Sequence, residues 1–496
     1  DKISGSTNNS LTPNFDYIKR NGVVFDHAIS SGDGTLLSYA GLFSGKHPFK
    51  TGMRSSKLTK LIDTTSYLEF LKNYGYKLYG CMPKSSSSLE IIPEFENNEE
   101  SFLDYGMSVF TDAGRITLDK LNSKMREPWL FLMHAGDLHF PITNPKGFQD
   151  EKFGSDNYEK QVSAIDYWLG QVLEKVDLKK TLVVITGDHG SYIQSLNKES
   201  LNIDFQDRGD LQMKIGGISN RFPKFLEPLK LYLFLTRENI SRKRKEKKIK
   251  DLNLKSHEVR GLLHQRSDPE RLLFDEKIRV PLFMIGPKVD QGMTISQQVR
   301  LIDVFPTICE IVGIPDKDEK IDGVSLYPLL ENRKIGGLIA YMESSPAILI
   351  QPIIVIGIRT DKYKYFRNRY DSSKNVHLYD LENDPYEDNN IADKDKKTVG
   401  EMESILKKII NGFSLEKGCS LEDVDDDNDG MSDELWSFNE GINVEMYEWE
   451  YIEELSAIEI LSYLIDGERA AEFIDFAENN EDLLNVLNSI NWEIEK

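Results

Sequence analysis

Three short stretches of this chain combine residue types that could do chemistry. In Val183-Val184-Ile185-Thr186-Gly187-Asp188-His189-Gly190 a buried-strand pattern stops at an aspartate, a histidine and flanking glycines. Ligands gather at the carboxyl ends of strands in α/β proteins, and a carboxylate beside an imidazole suits a hard or borderline divalent cation. A turn with a capping Asp188 and a satisfied His189 is the plainer alternative. In the second stretch, Ser30-Ser31-Gly32-Asp33-Gly34 leads into a helical segment starting at Thr35. A hydroxyl at a helix start lies among unsatisfied N–H groups at the positive end of the dipole. That setting favours phosphate or sulfate and suits a Thr nucleophile whose pKa a metal lowers; an N-cap is the common role for such a residue. In the third, Asp425, Asp427 and Asp429 alternate, Gly430 permits a sharp turn and Asp433 follows. This is the pattern of a short calcium loop, but Trp436 stands where an EF-hand has its twelfth-position Glu. A solvated acidic turn reads equally well.

The elements that would position these groups follow an α/β rhythm through residue 330. Strands are expected at Gly22–Ile29, Tyr76–Gly80, Trp129–His134, Leu182–Thr186 and Val280–Ile285. Helices are expected at Thr65–Asn73, at Tyr158–Val176 with Val162, Ile165, Trp168, Leu169 and Val172 on one face, and at Ile302–Val312. Such alternation predicts a mostly parallel central sheet flanked by helices. From about 331 short strands crowd together, at Leu338–Met342, Ile353–Arg359, Lys362–Phe366 and His377–Leu381, before a helix at Lys397–Ile410. That is the signature of a smaller α+β subdomain with an antiparallel sheet. The boundaries are therefore 1–330, 331–415 and a mainly helical tail over 416–496, with an insertion over about 191–270 that breaks the rhythm.

Composition bounds the rest. The chain has 496 residues, 39% hydrophobic and 29% charged, which suits a soluble protein with a substantial core. No run reaches the roughly 18 apolar residues of a membrane span. Cys81, Cys309 and Cys419 are too few and too scattered for a disulfide framework or a zinc pattern, and read as buried free thiols. Of the net charge of −21, the segment from Gly418 to Lys496 carries −22. Nucleic acid is not an expected partner of so acidic an appendage. Within residues 222–250, apolar residues such as Phe222, Phe225 and Leu229 precede a basic run from Arg242 to Lys250. Peripheral contact with an anionic membrane competes there with a solvated helical insertion. Cytoplasmic and cell-surface locations are both compatible with the sequence.

Ordered motifs then point to a family. Thr12-Pro13-Asn14-Phe15-Asp16, Gly22-Val23-Val24-Phe25 and Leu42-Phe43-Ser44-Gly45-Lys46-His47-Pro48 resemble the N-terminal signature of the sulfatase family, within the alkaline phosphatase superfamily. Leu130 to Pro141, Asp188-His189-Gly190 and Phe274-Asp275-Glu276-Lys277-Ile278-Arg279-Val280-Pro281 follow in the family's order. So do Asp303 to Ile308, Asp322-Gly323-Val324-Ser325-Leu326, Arg359 to Tyr365, Leu378 to Leu381 and Asp384-Pro385. The resemblance covers about residues 12–410, less the insertion. It implies a divalent metal (Ca, Mg or Mn) held by Asp188, His189 and Thr35, with Thr35 as the nucleophile. It also implies that His139 is catalytic beside Thr35 and, with Arg271, binds the anionic ester, and it leaves a second Ca to the acidic tail. A covalent threonine ester would form by in-line attack and pass to water or an acceptor alcohol.

Two departures shape the expectation. The usual sulfatase has a Cys or Ser in a Cys-x-Pro-Ser-Arg-like motif that becomes formylglycine, whereas Thr35-Leu36-Leu37-Ser38-Tyr39 stands here. Thr resembles the phosphotransferase and phosphodiesterase members, which tilts the expected ester toward phosphate on a glycan or lipid headgroup. The family's first strand, with its acidic metal ligands, would lie upstream of Asp1, so the chain is expected to begin inside the fold with an incomplete metal site. The opposing expectation is a non-catalytic relative that binds anionic glycans or protein partners.

Overall fold

The computed structural model describes residues 9–53, 66–89, 92–103, 107–139, 142–198, 201–205, 240–264, 273–289, 292–315, 321–345 and 354–417. The chain divides into two compact units, residues 1–206 with 255–421 and residues 207–254 with 422–496.

The first unit is built on a mixed five-stranded sheet. Its strands are β1 (Val23–Ile29), β5 (Val183–Thr186), β8 (Arg279–Ile285), β9 (Met293–Ile295) and β10 (Val299–Arg300), in the order β10-β1-β8-β5 with β9 also on β1. The α/β class is as expected, but β8 runs antiparallel to both β1 and β5, while β9 and β10 run parallel to β1. Both faces of β1 are covered, so its apolar run is nearly continuous instead of alternating. A second, parallel sheet holds β2 (Lys77–Pro83), β3 (Phe102–Leu103) and β4 (Trp129–Met133) in the order β3-β2-β4, and β6 (Ser195–Lys198) pairs antiparallel with β7 (Leu201–Asp204). The two sheets share one core, against which Leu130 and Leu132 of β4 and Val184 of β5 pack with Leu182. Each fully buried Phe or Leu in it contributes about 1.5–3 kcal/mol of hydrophobic stabilisation.

Several family-like motifs turn out to be joints of this scaffold. The helix Pro13–Asn21 lacks a side-chain cap at Thr12. Asp166, from the helix Asn157–Leu173, accepts the N–H groups of Asn14 and Phe15 at 3.1 and 2.7 Å and does the capping from outside. Gly45 ends the helix Thr35–Ser44 in a left-handed conformation, φ +70°, where a Cβ would be strained. Its carbonyl accepts the N–H groups of Asp322 and Gly323. Asp322 in turn accepts the His47 N–H at 2.9 Å and the Lys50 ammonium at 2.8 Å. Arg300 and buried Asp303 form a forked pair at 2.7 and 3.1 Å, and Asp303 also takes the Val324 N–H. Motifs nearly 280 residues apart are thus one hydrogen-bonded clamp.

The antiparallel sheet comprises β11 (Ala340–Glu343), β12 (Val355–Arg359), β13 (Tyr363–Asn368) and β14 (His377–Asp380) in sequential order. The helix Lys396–Lys417 packs on it through Met402, Leu406 and Ile410. A buried charge cluster links this sheet to the segment before β8: Asp275 takes Arg359 at 3.0 and 2.9 Å and Lys364 at 2.8 Å, and Lys364 also holds Glu387 at 2.7 Å. Burial would raise the Asp275 carboxyl, but Lys364 and Arg359 hold it far below the usual carboxylate range. Glu387, with one cation shared and Asp275 nearby, is pushed up by its burial. Cys81 and Cys309 are buried free thiols, as expected. No helix among the described residues is long and apolar enough to cross a membrane.

In the second unit, helix 240–249 is described, and beyond it residues 250–254. The apolar residues between Phe222 and Leu235, the acidic loop with Asp425, Asp427, Asp429 and Asp433, and the expected tail helices lie outside the described residues.

Candidate active site

The two leading sequence stretches meet at the carboxyl end of β5. The helix Thr35–Ser44 has Gly34 as its N-cap, in an extended conformation with no side-chain cap. Thr35 is therefore the first helical residue and not the cap. Leu37 to Ser44 are all buried, which fixes the helix as a rigid post and leaves Thr35 at its less buried head. The Thr35 hydroxyl lies 3.4 Å from His189 Nε2.

His189 has a defined tautomer. Its Nδ1 is 2.8 Å from the Gly190 carbonyl, which can only accept, so Nδ1 carries a proton, and in the neutral ring Nε2 is then the nitrogen with the lone pair. Gly190 is required by space: a Cβ there would lie 2.0 Å from the Glu276 carbonyl oxygen, and its N–H donates to Lys277 at 2.6 Å. The Asp188 Oδ1 accepts the His189 N–H at 2.9 Å, whereas Oδ2 is buried, 3.7 Å from His189 Nε2, and has no hydrogen-bond partner. Burial works to raise the Asp188 carboxyl, but the imidazoles of His189 and His134 and the Thr35 hydroxyl keep it below the usual range. A buried, ionised and half-unsatisfied carboxylate is a cation-seeking group.

The donor set fits a divalent cation in kind: one carboxylate oxygen without a partner, one imidazole lone pair and one hydroxyl. The Gly190 carbonyl orients the His189 ring as metal-binding histidines are commonly oriented, by accepting the N–H of the other ring nitrogen. The set is small for Ca, which takes six to eight oxygens, and no three His, Cys, Asp or Glu side chains among the described residues converge on a metal position.

Two residues here escaped the sequence reading. Tyr39, one turn below Thr35, places its hydroxyl 2.5 Å from Nδ1 of His134, at the end of β4, with the rings edge-on at 6.0 Å. Burial lowers the His134 pKa against the opposing pull of Asp188, and raises that of Tyr39. His134 continued the strand pattern of β4, and only its spacing before Asp137 and His139 could have marked it. His139 itself is exposed, on a turn closed by its N–H to the Gly136 carbonyl. Neighbouring Asp137 is a structural anchor that accepts Ser108 Oγ, the Val109 N–H and Gln161 Nε2 at 2.6–3.0 Å. Arg271 lies outside the described residues. The structure thus brings Thr35, Asp188 and His189 together and adds His134 and Tyr39.

The Sulfatase family profile matches residues 2–314, and the profile of the N-sulphoglucosamine sulphohydrolase C-terminal region matches residues 265–413. The chain belongs to the sulfatase family. It is 30% identical over 150 residues to human arylsulfatase K, a match covering 28% of this chain and 27% of that protein. The chain thus spans about a quarter of the length of the arylsulfatase K relatives it matches. It is 22% identical over 450 residues to the ulvan-active sulfatase of Formosa agariphila, covering 83% of this chain and 77% of that one. Among solved structures, a 2-O GAG sulfatase superposes with a TM-score of 0.55 at 16% identity, covering 86% of this chain and 93% of the other.

Proposed function

We propose that this protein is a hydrolase of sulfate esters on an anionic glycan, using Thr35 as its nucleophile. The observation that carries the reading is the Thr35 hydroxyl at an uncapped helix head, within reach of the His189 Nε2 lone pair and beside the unsatisfied Asp188 oxygen. Family membership supports the sulfate ester over the phosphate ester that Thr alone suggested, and the likeness to an ulvan-active sulfatase and a 2-O GAG sulfatase supports a glycan carrier.

A divalent cation held by Asp188, His189 and Thr35 Oγ1 would neutralise ester charge and lower the hydroxyl pKa. The remaining work falls to the chain. The N–H groups of the first turn receive the sulfuryl oxygens. Thr35 Oγ1 forms the new O–S bond as the bond to the glycan oxygen breaks, and the departing alcohol takes up a proton. Water then cleaves the threonine sulfate, returning the proton to Oγ1 and releasing sulfate. His139 lies on the exposed turn where the sugar would enter, and Arg271 is proposed with it as an ester contact.

Turnover of an aryl sulfate, a phosphate monoester and a phosphodiester with Mn²⁺, Mg²⁺ or Ca²⁺ tests this. Sulfate ester cleavage is expected to fall at least about 10³-fold in Thr35→Ala and to survive in part in Thr35→Ser. Preferential phosphodiester cleavage would move the substrate class, and cation binding with no turnover of any ester would favour a binding protein.

A further inference from the structure

Helix 240–249 carries Arg242, Lys243, Arg244, Lys245, Lys247 and Lys248 against the single acid Glu246, and Lys250 follows it. At helical spacing Lys243/Lys247 and Arg244/Lys248 are like-charge pairs, each costing about 0.2–0.5 kcal/mol. The Arg242–Glu246 pair, at 3.1 Å, works in the opposite sense. Lys243, Arg244, Lys247 and Lys248 are exposed, and Ile249 is the one buried side chain. A helix lying on a bilayer needs a broad apolar stripe, and this helix has only Ile240 and Ile249. Its chemistry asks for a polyanion, not a lipid surface.

We infer that this basic face docks the chain's own acidic tail, residues 422–496. Charge complementarity singles out the pair: residues 207–254 carry +7 and the tail −22, which leaves −6 for everything else. The remaining body therefore repels the tail on balance, and the insertion attracts it. Both segments belong to the same compact unit. Tethering also favours the tail, since a linked segment faces its site at about millimolar effective concentration. A free sulfated polymer at micromolar levels must displace it. The tail is in this sense a built-in polyanion that shields the surface a sulfated glycan would otherwise occupy, whatever the chemistry at Thr35.

Zero-length carbodiimide cross-linking of the full chain with peptide mapping tests the contact. Lys243, Lys247, Lys248 and Lys250 should join carboxylates of 422–496 within one molecule. The yield should drop several-fold at about 0.5 M salt, where the screening length is only a few Å, and in Lys243→Glu/Lys247→Glu/Lys248→Glu, whose fold is checked by circular dichroism. Tail carboxylates joined indiscriminately to lysines of the body, or joined only between molecules, overturn the proposal. On immobilised dextran sulfate, a full chain with Asp423, Asp425, Asp426, Asp427 and Asp429 changed to Asn should elute at higher salt than the parent. Equal elution overturns the proposal, as does tail-independent capture by phosphatidylserine vesicles.

Discussion

Asp188 is the cation-seeking group of the candidate site because it is buried and left with one oxygen unpaired, while the His189 ring is oriented by a backbone carbonyl. Tyr39 and His134 form the second layer. A hydroxyl buried this deeply costs about 1–3 kcal/mol when its partner is removed. His134→Ala should therefore destabilise the fold and Tyr39→Phe should do so by about 1 kcal/mol. Urea unfolding of the double variant should give a coupling energy of about 0.5–3 kcal/mol; strict additivity would mean that the 2.5 Å contact is not formed. At Asp188 the pH dependence has a definite sign. Its folded-state pKa is depressed, so the stability it contributes is complete above the ordinary carboxylate range and is lost as pH falls through the lowered value.

At the scale of elements, the antiparallel sheet is fastened to the strand β8 by charge as well as by apolar packing. Lys364 is fully buried and stands between Asp275 and Glu387. Removing one member of a buried ion cluster leaves the others uncompensated, so Lys364→Met should cost about 3–5 kcal/mol. The loss should shrink toward low pH, where Glu387 takes up a proton. Chemical denaturation at pH 7 and pH 5 checks both statements. An unchanged midpoint would show that Arg359 alone neutralises Asp275.

For the whole molecule, histidines buried neutral set part of the acid limit. His47, enclosed by Phe49 and Tyr341, has its pKa lowered to about 4, chiefly by burial. Above pH 6.5 it is neutral in both folded and unfolded chains. As pH falls from 6.5 to 4 the unfolded chain binds the proton first, so stability falls, by about 2 kcal/mol between pH 7 and 5. His47→Gln should remove that part of the slope, measured as the difference in unfolding free energy at the two pH values. A variant with the slope of the parent would refute the assignment. His377, also lowered to about 4 by burial, acts in the same direction.

Local periodicity and short spacing were enough to specify the α/β class, most strand and helix positions, the antiparallel subdomain and the adjacency of Asp188 and His189. The sequence also marked Thr35 through the glycine loop and helix start. Tertiary structure decided what depends on approach between distant segments. It moved the N-cap from Thr35 to Gly34, turned β8 antiparallel to its neighbours, and set the His189 tautomer through one carbonyl. It brought Tyr39 to His134 across 95 residues, and it showed Asp166, Asp303 and Asp322 to be joints of the scaffold. A carboxylate in a motif has the same letter whether it clamps a loop or faces a substrate. Only its burial and its partners, which the chain acquires on folding, separate the two.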